Sequence, residues 1–235
     1  MPELPLGGST LRLLAERAAF LPACGMLLVA DAHFGKAASF RRLGVPVPEA
    51  TTLGTLARLD AALAATGAHC VVFLGDLLHS AGGRSAGTLE AFARWRRQHA
   101  GLQLVLVRGN HDGHAGDPPS DWDVRCVNEP FEPEGLPGLA LCHHPAARPG
   151  RYVLAGHLHP AATIGGRGPG RLRLPCFHLG ADVGVLPAFG EFTGSHVLAR
   201  RPGDRVFVVA GNALRELPAA SGTVPAPGAA LHCTP

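Results

Sequence analysis

At 235 residues, 46% of them hydrophobic, the chain can bury a substantial core, and one compact domain over 1–217 accounts for it. No apolar run approaches the ~18 residues of a membrane span, and no basic-then-apolar leader opens the sequence. The formal net charge of +3 neither demands nor excludes a polyanionic substrate. The six cysteines are scattered without a C-x-x-C pair, which reads as a reducing cytoplasm.

Residues 10–20 suggest an early strand, because Leu11, Leu13, Ala15, Arg17 and Ala19 alternate with their neighbours. Three short apolar runs, 26–30, 70–74 and 103–107, read as buried strands that run into Asp31, Gly75-Asp76 and Arg108-Gly109-Asn110. Between them Leu53, Leu56, Leu59 and Leu63 recur at helical spacing across 49–66. Leu89, Phe92 and Ala93 do the same across 88–99. Such βα crossovers predict parallel strands whose carboxyl ends meet in one crevice. After residue 138 the helical periodicity stops. Residues 138–142, 151–155, 174–179, 195–200 and 205–210 read as strands between Gly/Pro-rich turns such as 165–170 and 201–204, so a second sheet is implied. Residues 218–235 are small, with proline and glycine, and predict a flexible C-terminal tail.

Five pieces fall at strand ends: Asp31-Ala32-His33, Gly75-Asp76, Gly109-Asn110-His111-Asp112, His143, and Gly156-His157-Leu158-His159. Singly, each has an ordinary explanation as a turn or a surface histidine. In this order they supply carboxylate, imidazole and amide ligands that suit a pair of divalent cations. Two neighbouring cations need a bridging carboxylate, and Asp76 is the natural bridge because its strand lies between the other two in sequence. Asp31, His33 and His159 would complete one metal; Asn110, His143 and His157 would complete the other, with His144 as the alternative to His143. The donors are oxygen and imidazole without thiolate, which favours manganese over a structural zinc.

His111 lies between a ligand and Asp112. It is placed to touch the phosphate or the leaving oxygen, with Asp112 fixing its orientation and keeping it protonated; the competing reading of Asp112 is an N-cap of the following turn. Of the 21 cationic side chains Lys36 is the single lysine, three residues after His33, where a compact ammonium would serve and a planar guanidinium would not. Lys36, Arg41 and Arg42, with Arg84 and Arg108, are candidates to hold flanking phosphates of a nucleic acid strand. Phe34, Phe40 and Phe189 could stack bases. His79 and His114 lie beside the motifs and could face substrate.

The array resembles the calcineurin-like metallophosphoesterase superfamily, and the matching motifs lie within residues 26–160. The resemblance implies an α/β (α+β) fold, a two-sheet β-sandwich flanked by helices, with a dinuclear metal centre and the ligand assignment above. His143-His144-Pro145 departs from it, since many members have His-Gly there. Outside the ligands, the stretch from Asp31 to Lys36, Phe40-Arg41-Arg42, Gly44 to Pro48, Leu77-Leu78-His79-Ser80, and Leu186 to Gly194 are similar to the ligase-associated DNA-damage-response endonuclease family called PdeM. That similarity implies a cytoplasmic, manganese-dependent DNA endonuclease acting on single-stranded or unpaired DNA in repair, alongside a helicase, ligase or exonuclease. It is compatible with a homodimer and involves no membrane. The alternative is a small-molecule phosphoesterase for a cyclic nucleotide or a pyrophosphate, which would share the same metal core.

Overall fold

The computed structural model describes residues 1–47, 51–165 and 170–219. Pro48, most of the turn expected at 165–170 and the tail from residue 220 lie outside the described residues. The first sheet has seven strands in sequence order: β1 (Glu3–Leu6), β2 (Ser9–Leu13), β3 (Ala19–Leu21), β4 (Met26–Val29), β5 (Cys70–Leu74), β6 (Gln103–Val107) and β7 (Val124–Val127). β1 to β4 pair antiparallel, whereas β4, β5, β6 and β7 run parallel. The parallel half is wound by α2 (Thr51–Thr66) and α3 (Ala86–Gln98), as the helical spacing predicts. Two shorter helices, α1 (Lys36–Arg42) and α4 (Asn110–Ala115), follow strand ends directly.

The second sheet contains β8 (Leu139–Leu141), β9 (Tyr152–Ala155), β10 (Pro160–Ile164), β11 (Leu172–Leu179), β12 (Val183–Val185) and β13 (His196–Val197) in the order β13-β10-β11-β12-β9-β8. β14 (Arg205–Ala210) also pairs with β11, and β15 (Ala213–Glu216) pairs with β14. Among the described residues no helix follows β8, in keeping with the loss of helical periodicity.

Burial follows from the strand period. Along β5, Cys70, Val72 and Leu74 face the second sheet and join Leu141, Leu154 and Phe177 in one cluster, while Val71 and Phe73 face Leu59, Phe92 and Trp95 of the two long helices. A strand covered on both faces must be apolar at every position, and β5 is buried throughout. The result is an α/β fold with two mixed sheets face to face and helices over the outer face of the first. No helix among the described residues is long and apolar enough to cross a membrane.

Three expectations need correction. Residues 10–20 are not one strand but two, β2 and β3, because the chain reverses where Leu14 N–H donates to the Ala18 carbonyl (2.9 Å) and Arg17 adopts a left-handed conformation (φ 63°). Residues 195–200 supply only the two-residue β13. α3 starts two residues before the predicted 88, where the Ser85 hydroxyl accepts from Thr88 N–H (3.3 Å) as an N-cap.

Phe177 is fully buried between the sheets. Phe177→Ala is expected to cost about 3–5 kcal/mol of unfolding free energy in urea titration; a cost under about 1 kcal/mol would mean that the inter-sheet core is not continuous.

Candidate metal centre

Seven non-glycine residues among those described have positive φ, and five of them are expected ligands: Asp31 (53°), His33 (46°), Asp76 (54°), His157 (71°) and His159 (44°). Each follows the end of β4, β5 or β9. A left-handed residue costs of the order of 1–3 kcal/mol and persists only where its surroundings over-determine it. The surroundings here are a backbone lacing across the strand ends. His33 N–H donates to the Asp76 carbonyl (2.8 Å), Phe34 N–H to that of Leu77 (2.8 Å), Phe189 N–H to that of Ala30 (2.8 Å) and Gly190 N–H to that of Asp31 (3.2 Å). The 186–194 stretch therefore pins the tip of β4. Glycine is needed at two neighbouring points, since a β-carbon at Gly75 would enter the His143 imidazole and one at Gly156 the Asp31 carboxylate.

The lacing brings all seven expected ligands together in two lobes. In one, His33 Nε2 lies 3.3 Å from His159 Nε2 and 3.7 Å from Asp76 Oδ2, and His159 Nε2 lies 3.5 Å from Asp31 Oδ1. In the other, His143 Nε2 lies 2.9 Å from Asn110 Oδ1, 3.0 Å from His157 Nδ1 and 3.6 Å from Asp76 Oδ1. The two oxygens of Asp76 thus face different lobes. Asp31 and Asp76 are almost wholly buried, as is His143.

Proton placement tests whether this set suits cations. His143 Nδ1 is 3.0 Å from the Leu74 carbonyl and His159 Nδ1 is 3.2 Å from that of Gly194. A carbonyl only accepts, so each Nδ1 carries the hydrogen, and in the neutral ring each Nε2 presents a lone pair to the lobe. Burial, reinforced by Lys36 and neighbouring imidazoles, pushes the His33 pKa far below its ordinary value. Burial, with His143 and His144, also lowers that of His157. Neutral imidazoles and two carboxylates therefore turn acceptors toward one another. The groups Asp31–His33–His159 and Asp31–Asp76–His143 each converge within 4.8 Å, and divalent ions are what such a donor set fits.

Asp112 does not touch the His111 ring. Its Oδ2 accepts from the N–H groups of Asp76 (2.8 Å) and Gly109 (2.8 Å), and Oδ1 from that of Leu77 (3.0 Å). It ties the start of α4 to the loop after β5 from the third position of that helix, accepting from the N-cap residue Gly109, so Asp112 is neither the N-cap itself nor the group that orients His111. The carbonyl of His79 orients His111 instead, accepting from Nδ1 at 2.8 Å, and the two rings stack with centroids 5.0 Å apart. His79 is half-buried, and burial, then Lys36 and His111, hold its pKa down at about 4.

Lys36 opens α1 half-buried beside His33. Burial lowers its pKa, while Asp76 and Asp31 oppose the shift by stabilising the ammonium. Arg41 donates to the Val47 carbonyl (3.2 Å), and Arg42 is exposed on the same helix. Two other cations are occupied elsewhere. Arg84 donates to the carbonyls of Ala115 and Asp117 (3.2 and 2.9 Å), and Arg108 forms a two-pronged pair with Asp117 (2.8 Å each). Both brace the loop after α4. His114 bonds the Asn110 carbonyl of its own helix (2.9 Å). Phe34 and Phe189 are core residues, whereas Phe40 packs edge-on against Phe192 (centroids 5.4 Å), which remains 40% exposed.

Three contributors escape sequence reasoning. Glu129 accepts from the backbone N–H groups of His143 and His144 (2.8 and 2.9 Å) and pairs with His144 Nδ1 (2.8 Å), which holds His144 on the outer, solvated side. Phe192 forms the exposed rim, and Arg17 reaches the His159 side from a distant turn. None has a local signal. Glu129 and Arg17 each lie 14 residues or more from the nearest ligand they serve, and Phe192 reads as one more apolar residue.

Residues 26–181 match the calcineurin-like phosphoesterase family. The chain belongs to that family. A nuclease MPE of Pseudomonas putida has a solved structure that superposes with a TM-score of 0.80 at 40% identity, covering 92% of this chain and 99% of its own. Yfce, a phosphoesterase from E. coli, aligns over 82% of this chain and 97% of its own at 14% identity, with a TM-score of 0.41. A comparison with curated proteins returned no match. As a calcineurin-like phosphoesterase, the protein is a hydrolase of phosphoesters that uses divalent metal ions.

The three bonds to Asp112 make a stability prediction. Asp112→Asn replaces an acceptor that serves three N–H groups with an amide that must turn a donor toward at least one of them. We expect a loss of roughly 2–4 kcal/mol in urea unfolding and reduced metal uptake by calorimetry. Unchanged stability would return Asp112 to the role of partner for His111.

Proposed function

We propose that this phosphoesterase is a manganese-dependent DNA endonuclease that cleaves single-stranded or unpaired DNA in repair, as one cytoplasmic domain over 1–217. The observation that carries the reading is an exposed aromatic side chain beside the expected ligands. The exposed Phe192, edge-on to Phe40, sits one ring from His79 (Phe40 to His79, 6.3 Å) and offers a base a stacking surface that duplex DNA cannot use. The Pseudomonas putida relative named as a nuclease supports the same substrate class. A repair helicase, ligase or exonuclease would be the fitting partner.

In this reading Asp31, His33 and His159 hold one ion and Asn110, His143 and His157 the other, with Asp76 between them; oxygen and imidazole donors favour manganese. Two such ions supply Lewis acidity toward a phosphoryl oxygen and an acidified water. The chain supplies the rest. Lys36 places an ammonium beside the centre, where it neutralises charge on the phosphate. Arg41 and Arg42 on α1 hold the flanking backbone, with His79 on the same rim. His111, whose Nδ1–H donates to the His79 carbonyl, would in its imidazolium form give the Nε2 proton to the departing deoxyribose oxygen and be left neutral.

The direct test incubates the protein and manganese with matched single-stranded, duplex and gapped DNA, beside a cyclic nucleotide. Incision of single-stranded and gapped DNA is expected. Turnover of the cyclic nucleotide alone would replace the reading.

Two substitutions probe the roles. Asp76→Ala should abolish binding of both ions, measured as metal content after dialysis; two ions retained would remove Asp76 from its bridging place. His111→Ala should cost DNA cleavage about 10²–10⁴-fold, the usual worth of a positioned acid, yet spare a p-nitrophenyl diester, whose leaving group needs no proton. Similar losses on both substrates would make His111 a stabiliser of the phosphate rather than its proton donor.

A further inference from the structure

The His159 side of the crevice carries a cation with no assigned task. Arg17 closes the turn between β2 and β3 in a left-handed conformation (φ 63°), and with Asp123 it is one of only two such non-glycine residues, among those described, outside the ligand set. Its side chain lines a cavity of about 130 Å³ together with His159, Glu191, Thr193, Gly194 and Ser195. That space admits several waters and therefore a hydrated anion.

Charge makes the placement costly without an anion. The one acid on this wall, Glu191, pairs with Arg58 (3.3 Å), and Arg58 also donates to the Phe189 carbonyl (2.5 Å). The carboxylate is thus engaged by Arg58 and not by Arg17. Arg17 is half-buried and its guanidinium makes no hydrogen bond or ion pair with any described residue. Burial and the nearby Arg58 lower its pKa, with Glu191 opposing. An unpaired, partly desolvated guanidinium beside a cation-binding centre repels what that centre holds. It is compensated only when an anion arrives.

We propose that Arg17 and its cavity form a subsite for a second phosphate of the DNA strand, next to the scissile one on the His159 side. The inference rests on the nuclease reading above and deepens it. A planar guanidinium with several free N–H donors suits a phosphodiester at this point. The enzyme would then favour a nucleic acid chain over an isolated diester, because only a chain can fill both positions.

The test compares a dinucleoside monophosphate, which has one phosphate, with a trinucleoside diphosphate, which has two. The protein with manganese should show a kcat/KM advantage of about tenfold or more for the longer substrate, the worth of one charge-assisted contact. Arg17→Gln should reduce that advantage to within about twofold by raising KM rather than lowering kcat. Arg17→Gly, which suits the left-handed turn, should do the same, and Arg17→Lys should keep part of the preference. Independently of turnover, fluorescence anisotropy of a labelled single strand should show the salt dependence of binding weakened by about 0.7 in log–log slope for Arg17→Gln, one phosphate contact.

An equal preference in the wild type and both uncharged variants would overturn the subsite, as would equal losses on the two substrates, which would place Arg17 in the turn or the centre. Failure of the wild type on both nucleotides, with an aryl diester still hydrolysed, would instead sink the nuclease reading and the subsite with it.

Discussion

The constraint on which the rest of the site depends is the crowding of acceptor atoms at the ends of β4, β5, β6, β8 and β9. Carbonyl groups of Leu74 and Gly194 fix the hydrogens of His143 and His159 on Nδ1, which turns both Nε2 atoms toward Asp76, Asp31 and further imidazoles. Asp76 accepts from His111 N–H (3.0 Å) and Asp31 from His157 N–H (2.9 Å), which leaves their remaining lone pairs turned toward the imidazoles. Buried acceptors facing one another are costly, so the fold holds the arrangement rigidly, through strained left-handed residues and the lacing of strand ends, until divalent ions relieve it. The Asp112 carboxylate belongs to the same scheme. Its three backbone contacts keep β5 and α4 at the separation that lets Asp76 and Asn110 share a lobe.

Legibility in the sequence followed burial. β5 and β6 have the expected limits because strands covered on both faces need apolar residues throughout and end where the first glycine or charge appears. β10, β12 and β15 went unread, since short strands without strict alternation resemble the Gly/Pro-rich turns around them. α1 was missed for a different reason. It has seven residues and begins after Gly35 in a left-handed conformation, so it shows neither an N-cap signal nor two turns of periodicity.

The convergence of the expected ligands is readable because carboxylate, imidazole and amide residues fall together at strand ends; the places of their neighbours are not. Whether Arg84 meets a phosphate or the carbonyls of Ala115 and Asp117 depends on where α4 ends, which no local pattern states. Phe34, Phe40 and Phe189 are alike in composition and differ only in which face of the fold receives them. Two entered the core, and the aromatic rim passed to Phe40 with Phe192.

The single lysine gains a physical reason from its place. Lys36 stands at the amino end of α1, where the helix dipole disfavours a cation, and it is half-buried beside the imidazoles of His33 and His79. Asp31 and Asp76 stabilise the ammonium in the protein alone, but the same carboxylates are the groups best suited to the ions. In the proposed reading, ions that took up that negative charge would leave Lys36 to find its compensation in an incoming phosphate. Arg17 meets the same condition on the His159 side, with Glu191 already engaged by Arg58. In the proposed nuclease reading, the cations that flank the centre would be balanced only when ions and substrate are present together, which would couple metal loading to the grip on a polyanion.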